Sequence, residues 1–144
     1  MIEDRDSLKD TIKFFDDVAT LVDDIFDIHF PSSLAETYID PVTDLFETEN
    51  KVFIIVEIPG VQKDELYIAV GPTMVLIQGV KRPPEIMKSG ASFYNLEIAY
   101  GIFKKRIYLP SRIKLNSAQV SLKDGLLFME FNKDKKSVRI IKIE

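Results

Sequence analysis

Two hydrophobic patterns divide the chain. Between Ser7 and Ile28 apolar residues recur at helical spacing and acidic residues crowd the opposite side, which predicts an amphipathic helix. Besides Leu8, its apolar stripe consists of Ile12, Phe15, Val18, Leu21, Val22, Ile25 and Phe26. From Val42 onward the period is that of β-strands. The pattern therefore predicts an N-terminal helical arm and linker over residues 1–41, a β domain over 42–132, and a hinge and tail over 133–144.

Short apolar runs bounded by turn residues fill the β domain. The run Val52–Ile58 is apolar on both faces, which is typical of an interior strand. Strands this short, with a turn signal about every ten residues, favour an all-β sandwich over alternating βαβ units. The predicted strands are Thr43–Glu47, Val52–Ile58, Leu66–Val70, Met74–Val80, Phe103–Leu109, Ala118–Leu122 and Leu126–Phe131.

A polar, proline-bearing loop interrupts the strand series after Val80. Within it, one stretch has the aromatic character of a small extra strand, and its residues are Ser92, Phe93, Tyr94, Asn95 and Leu96. This strand has no evident partner in its own sandwich, and an unpaired edge invites pairing with another chain. The stretch is therefore a candidate dimer contact. The alternative, a loop folded back on its own domain, stays open.

Both ends of the chain carry apolar segments outside the predicted sandwich. The terminal run Val138–Glu144 follows a lysine-rich hinge and alternates like a strand, but it is too short to form a sheet alone. It is either unpaired or docked on an edge or groove, and docking is the more economical interpretation. The stripe of the N-terminal helix either packs on its own domain or meets other subunits and unfolded chains.

Composition narrows the possible functions. The chain has 19 basic and 23 acidic residues and a pI near 5.1, so no overall positive field favours nucleic-acid binding. The absence of cysteine excludes disulfides, thiolate zinc sites and thiol catalysis. No apolar run reaches the length of a membrane span, and the acidic start Met1–Asp4 is unlike a secretory signal. We expect a cytoplasmic protein without a membrane or nucleic-acid partner.

Catalytic chemistry finds little support in the sequence. His29 is the single histidine and falls in the linker, so neither a catalytic triad nor a multi-histidine metal site can be built around it. Glu57, Glu97 and Glu130 are candidate carboxylates, but no phosphate loop, metal spacing or nucleophile motif accompanies them. We therefore expect no enzymatic activity, no catalytic residues, no cofactor and no bound metal.

Several motifs occur in one order along the β region. They are Glu57–Val61 followed by Lys63–Leu66, then Leu76–Gly79, Glu97 with Gly101 and Phe103, Leu109–Pro110, Asp124–Leu127 and Ile141–Ile143. Together they resemble the alpha-crystallin domain of the small heat-shock proteins, and the resemblance covers Asp44 to Glu144. Where the family usually has arginine, this chain has Ile98 and Lys105.

The resemblance implies an immunoglobulin-like β-sandwich that dimerises by placing Ser92–Leu96 on the first strand, Asp44–Glu47, of a partner. It also implies that Ile141 and Ile143 anchor the tail in an apolar groove of a neighbouring dimer. The corresponding groove residues are Leu66, Ile68, Val70, Val120 and Leu122. The implied function is that of a stress-response chaperone, a homo-oligomeric, ATP-independent holdase for partly unfolded clients. The rival hypothesis is a non-chaperone binding module, such as a co-chaperone or a structural assembly protein.

Overall fold

Two four-stranded β-sheets face each other in a computed structural model that describes residues 12–14, 39–88 and 90–135. Sheet A has the spatial order β1-β4-β5-β6, with β1 Ile12–Phe14, β4 Leu66–Val70, β5 Met74–Lys81 and β6 Gly101–Tyr108. Sheet B has the order β2-β3-β8-β7, with β2 Thr43–Glu47, β3 Lys51–Glu57, β7 Gln119–Lys123 and β8 Leu126–Asn132. Short 3₁₀ turns occupy Lys63–Glu65, Glu85–Lys88 and Leu115–Ser117.

Alternate residues of facing strands form the core. Val52, Ile54 and Val56 of β3 point inward from sheet B, whereas Ile68 and Phe103 point inward from sheet A. All five are fully buried, and Phe103 is among the largest of the fully buried side chains. Because strand residues two apart share a face, burial on one face follows directly from the alternation in the sequence. The predicted all-β sandwich is confirmed.

The hairpin between β7 and β8 shows why particular turn residues are needed. Asp124 and Gly125 both have positive φ, +54° and +77°, as a two-residue turn between right-twisted strands requires. A Cβ added to Gly125 would come within 2.9 Å of the Pro59 Cα. The turn therefore packs against the loop after β3, and Ile58 N–H donates to Gly125 O at 2.8 Å.

One short segment of the predicted helix differs. Ile12–Phe14 form a β-strand parallel to β4, with Ile12 beside Ile68 and Phe14 beside Val70. The physical reason is tertiary: the outer edge of β4 presents backbone donors and acceptors that need partners, and Ile and Phe also suit a strand. The other predicted helix positions, Phe15, Val18, Leu21, Val22, Ile25 and Phe26, lie outside the described residues.

The predicted extra strand in the loop is not paired within this single chain. Ser92–Leu96 have no strand pairing, and all residues from 91 to 99 are exposed. A strand needs a neighbour to satisfy its backbone groups, and no described strand of its own sandwich runs beside this segment. Pairing of this segment with another chain stays a prediction.

Candidate functional site

The outer edge of β2 is open along its length. β2 pairs with β3 on one side, from Thr43 beside Val56 to Glu47 beside Val52, and no described residue pairs with its other side. Leu45 and Phe46 are 40% and 46% exposed. A row of unpaired N–H and C=O groups next to exposed apolar side chains is a template for an added strand.

Glu47 fixes the end of this edge strand. Its Oε2 atom lies 3.0 Å from the Lys133 Nζ and accepts a hydrogen bond from the Ser111 Oγ at 2.9 Å. The hydrogen bond from Lys133, helped by the one from Ser111, lowers the pKa of the Glu47 carboxyl below its ordinary value. The ionised carboxylate therefore links β2 to the end of β8 and to the loop after β6.

The loop between β5 and β6 exposes apolar side chains to solvent, while side-chain contacts fix both of its ends. Tyr94 is 96% exposed, and Phe93, Leu96 and Ile98 are each more than half exposed. At the start of the loop, Arg82 Nε lies 2.7 and 2.8 Å from the two carboxylate oxygens of Glu65. At its end, the Lys81 Nζ lies 5.9 Å from the centre of the Tyr100 ring. These contacts hold both ends of the loop while its middle remains accessible.

The linker into the sandwich is held by the strand that follows this loop. Ile39 N–H donates to Ile102 O at 2.9 Å, and the Lys105 Nζ donates to Pro41 O at 2.7 Å. Lys105 also lies 3.4 Å from the Asp40 carboxylate. Lys105, which the resemblance places at a usual arginine position, thus anchors this chain's own linker.

The opposite edge of the sandwich, at β4, is covered. The five residues that the resemblance assigns to a tail groove are buried and belong to one hydrophobic cluster, and they are Leu66, Ile68 and Val70 of β4 with Val120 and Leu122 of β7. Ile12 of β1 is half-buried against the same cluster. The tail anchors Ile141 and Ile143 lie outside the described residues, so their docking stays a prediction.

A surface that the sequence analysis missed lies on the outward face of sheet B. The rings of Phe46 and Phe53 stack with centroids 5.1 Å apart, and they share a shallow cavity of about 430 Å³ with Ile55 and Phe128. Phe128 is 38% exposed. The sequence of Val52–Ile58 could have indicated this surface. A strand with apolar residues at both odd and even positions must place apolar groups on its outward face as well as in the core. We call Phe46, Phe53, Ile55 and Phe128 the outer patch.

The candidate carboxylates do not converge. Glu130 lies 3.3 Å from the Lys51 Nζ on the rim of the outer patch, and Glu57 and Glu97 are exposed in separate parts of the chain. Within residues 12–14, 39–88 and 90–135, no three histidine, cysteine or acidic side chains come together as a metal site would require. The same residues contain no helix with the length and apolar character needed to cross a bilayer.

Comparison with known proteins identifies the family. The profile described as "Hsp20/alpha crystallin family" matches residues 44–144. The chain belongs to this family. Among its relatives, the small heat shock protein C4 of Rickettsia felis is 28% identical over 124 residues, which are 81% of this chain and 76% of the relative. Spore coat protein P of Bacillus subtilis is 34% identical over 113 residues, which are 76% of this chain and 73% of the relative.

Solved structures of heat shock proteins share the fold. Heat shock protein 16.0 from Schizosaccharomyces pombe superposes with a TM-score of 0.63 at 24% identity, over 74% of this chain and 97% of that chain. A small heat-shock protein from Xylella fastidiosa, described as having a distinct high order structure, superposes with a TM-score of 0.59 at 22% identity over the same shares. The resemblance in the sequence is thus confirmed, and membership of the Hsp20 family supports a chaperone role.

Proposed function

We propose that this Hsp20-family chain is an ATP-independent holdase, a homo-oligomer that binds partly unfolded proteins and prevents their aggregation. The observation that carries the proposal is the apolar outer patch, in which Phe46 and Phe128 are 46% and 38% exposed beside a shallow cavity. A soluble monomer rarely exposes apolar surface on this scale without a binding role. The proposed site of action is the cytoplasm.

Dimerisation is the first level of the proposed assembly. Ser92–Leu96 of one copy would lie along β2 of a second copy, at Asp44–Glu47. The open edge of β2 supports this pairing. The loop supports it as well, because its residues are exposed and form no strand pairing, and because the Arg82–Glu65 contact fixes its start. Each exchanged segment would gain main-chain hydrogen bonds that neither copy can form by itself.

Tail docking is the second level. Ile141 and Ile143 would anchor the C-terminal tail of one dimer against β4 and β7 of a neighbouring dimer. Burial of one isoleucine side chain contributes roughly 1.5–3 kcal/mol, so a single tail is a weak latch and several must act together. Such an assembly opens when heat weakens the individual contacts and exposes its apolar surface to clients.

An aggregation assay without nucleotide tests the proposed activity. A heat-labile enzyme is warmed with increasing amounts of the chain while light scattering is recorded, and we expect scattering to be suppressed near equimolar subunit ratios. The double variant Phe53→Ser with Phe128→Ser is expected to protect less well, because both changes remove apolar side chains from the outer patch and leave the buried core residues unchanged. An inert protein of equal mass serves as the control. Full scattering at equimolar protein, before and after preheating, would disprove the holdase proposal.

A structural assembly role is the second candidate function. The similarity to spore coat protein P, at 34% identity, favours this possibility. The two functions differ in reversibility: a holdase oligomer exchanges subunits and protects clients, whereas a structural particle keeps its subunits. Mixing two fluorescently labelled batches and following energy transfer with temperature separates the two. Absence of exchange together with absence of client protection would favour the structural role.

A further inference from the structure

We propose that Ile12–Phe14 competes with the C-terminal tail, so that the outer edge of β4 is one docking site with two alternative occupants, the chain's own N-terminal segment and the tail of a neighbouring copy. The inference rests on the tail docking of the proposed function and adds what controls it. The occupant seen in the structure is the N-terminal one. Its pairing with β4 is parallel and spans three residues, Ile12 beside Ile68, Lys13 beside Ala69 and Phe14 beside Val70.

The side chains of β1 follow the alternation of β4. Ile68 and Val70 point into the core, so the residues beside them, Ile12 and Phe14, lie on the interior side of the sheet. Ile12 contacts the buried cluster that includes Leu66, Val120 and Leu122, the residues assigned to the tail groove. Lys13 is exposed on the other face.

The C-terminal tail has the same side-chain pattern. Ile12-Lys13-Phe14 and Ile141-Lys142-Ile143 each place a lysine between two large apolar residues. Laid along β4 in the same register, either segment directs two apolar groups inward and its lysine outward beside the small Ala69. The two segments therefore share the same order of apolar and charged residues, which suits both to this edge.

The two segments cannot occupy the edge together. β4 pairs with β5 on its other side, so it has a single outer row of N–H and C=O groups, and β1 uses this row at Ile68–Val70. A tail that docks against Leu66–Val70 has to displace β1. When β1 occupies the edge most of the time, the apparent affinity of the edge for the tail falls in proportion to the fraction of molecules in which the edge is free.

The resident strand is short enough to be displaced. It contributes three residues, and Phe14 remains 49% exposed, so its pairing buries only part of its apolar surface. Its advantage is that it belongs to the same chain, because a tethered segment competes at a high effective concentration. Tail docking would thus release the N-terminal arm, and arm docking would release a tail.

A peptide binding experiment measures the competition. The host is the full chain with Ile141→Gly and Ile143→Gly, which disables its own tail, and the probe is a fluorescein-labelled peptide of residues 133–144. Adding Ile12→Gly and Phe14→Gly to the host should tighten peptide binding about tenfold. This is the gain in affinity when a competitor that occupies the edge about nine-tenths of the time is removed. Lys13→Ser is the matched control, because it changes the same strand without removing an apolar anchor, and it should leave the affinity unchanged.

A disulfide lock gives an independent measurement. The chain has no cysteine, so Lys13→Cys with Ala69→Cys introduces a single possible intramolecular pair at neighbouring positions of β1 and β4. In the same host, oxidation should hold β1 on the edge and lower the peptide affinity more than tenfold, and reduction should restore it. Thermal unfolding of each variant confirms that the sandwich is intact.

The outcomes separate this inference from the proposed function. Equal peptide affinity with and without Ile12 and Phe14, or equal affinity of the oxidised and reduced lock, would overturn the competition while leaving tail docking in place. Failure of the two cysteines to oxidise would also overturn it, since β1 would not lie beside β4. Absence of peptide binding to every host, including the one without β1 anchors, would instead overturn tail docking itself.

Discussion

The outer sides of two strands, β2 and β4, differ in whether another strand of the same chain pairs with them. β4 is buried at four of its five residues, and Ile12–Phe14 of the same chain pair with its edge. β2 is exposed at four of its five residues, and its outer edge has no partner among residues 12–14, 39–88 and 90–135. The difference shows which contacts a single chain can complete and which are available to another copy.

The open edge carries features that limit unselective pairing. β2 is short, and charged Asp44 and Glu47 lie near its two ends. Short edge strands with charges are a common protection against aggregation, because they pair stably only with a matching segment. The edge of β4 is apolar and would be more hazardous if left bare, which gives a physical reason for the chain to cover it.

The largest expected effect concerns the β4 edge. Ile141→Gly with Ile143→Gly should reduce the assembly to dimers, a several-fold loss of mass, because the tail anchors are removed while every described core residue is kept. Native mass spectrometry measures the subunit number. Ile140→Gly is the matched control, since residue 140 lies at the other parity of the tail. An unchanged subunit number would show that the tail does not link dimers.

The next effect concerns the β2 edge. In the tail-disabled background, Asn95→Pro should convert dimers to monomers, because proline removes the backbone N–H of the loop segment and does not fit within a strand pair. Asn95→Ala keeps the N–H and should leave the dimer intact. Sedimentation velocity distinguishes the two masses. A dimer that persists in the proline variant would exclude exchange of Ser92–Leu96 as its basis.

The smallest effect concerns the anchoring of β2 by Glu47. Since the folded protein lowers the pKa of this carboxyl, its contribution is present above the ordinary glutamate pKa and disappears as the pH falls through the lowered value. Glu47→Gln should therefore lower the melting temperature slightly at neutral pH and make no difference at sufficiently acid pH. Thermal melts across this range check the sign, with exposed Glu49→Gln as the control. A deficit that grows on acidification would contradict it.

Most of the fold could be predicted from the residues alone. The strands Thr43–Glu47 and Leu66–Val70 have the predicted bounds, and the others differ by one or two residues. The Asp124-Gly125 turn could be predicted equally well, because positive φ at both positions favours particular residue types. Such features depend on alternation and turn chemistry within a few residues, which a single sequence displays directly.

Two parts of the candidate site could not be obtained in the same way. Ile12–Phe14 sit within a long helical period, and a three-residue strand cannot outweigh that pattern until the edge of β4 is known to need a partner. The outer patch could not be predicted, because Val52–Ile58 is apolar on both faces and such a run is also typical of a strand that is covered on both faces. In sheet B, β3 does lie between β2 and β8, yet no described strand covers its outward face.

The alternation of apolar and polar residues by itself determined the strands, their turns and the face that each strand buries, because these depend on neighbours in the chain. Only the tertiary structure decided which edge is covered and which stays open, since an edge exists only after distant strands have assembled. It also brought Ile12 to Ile68, a pairing between residues far apart in sequence that no local pattern encodes.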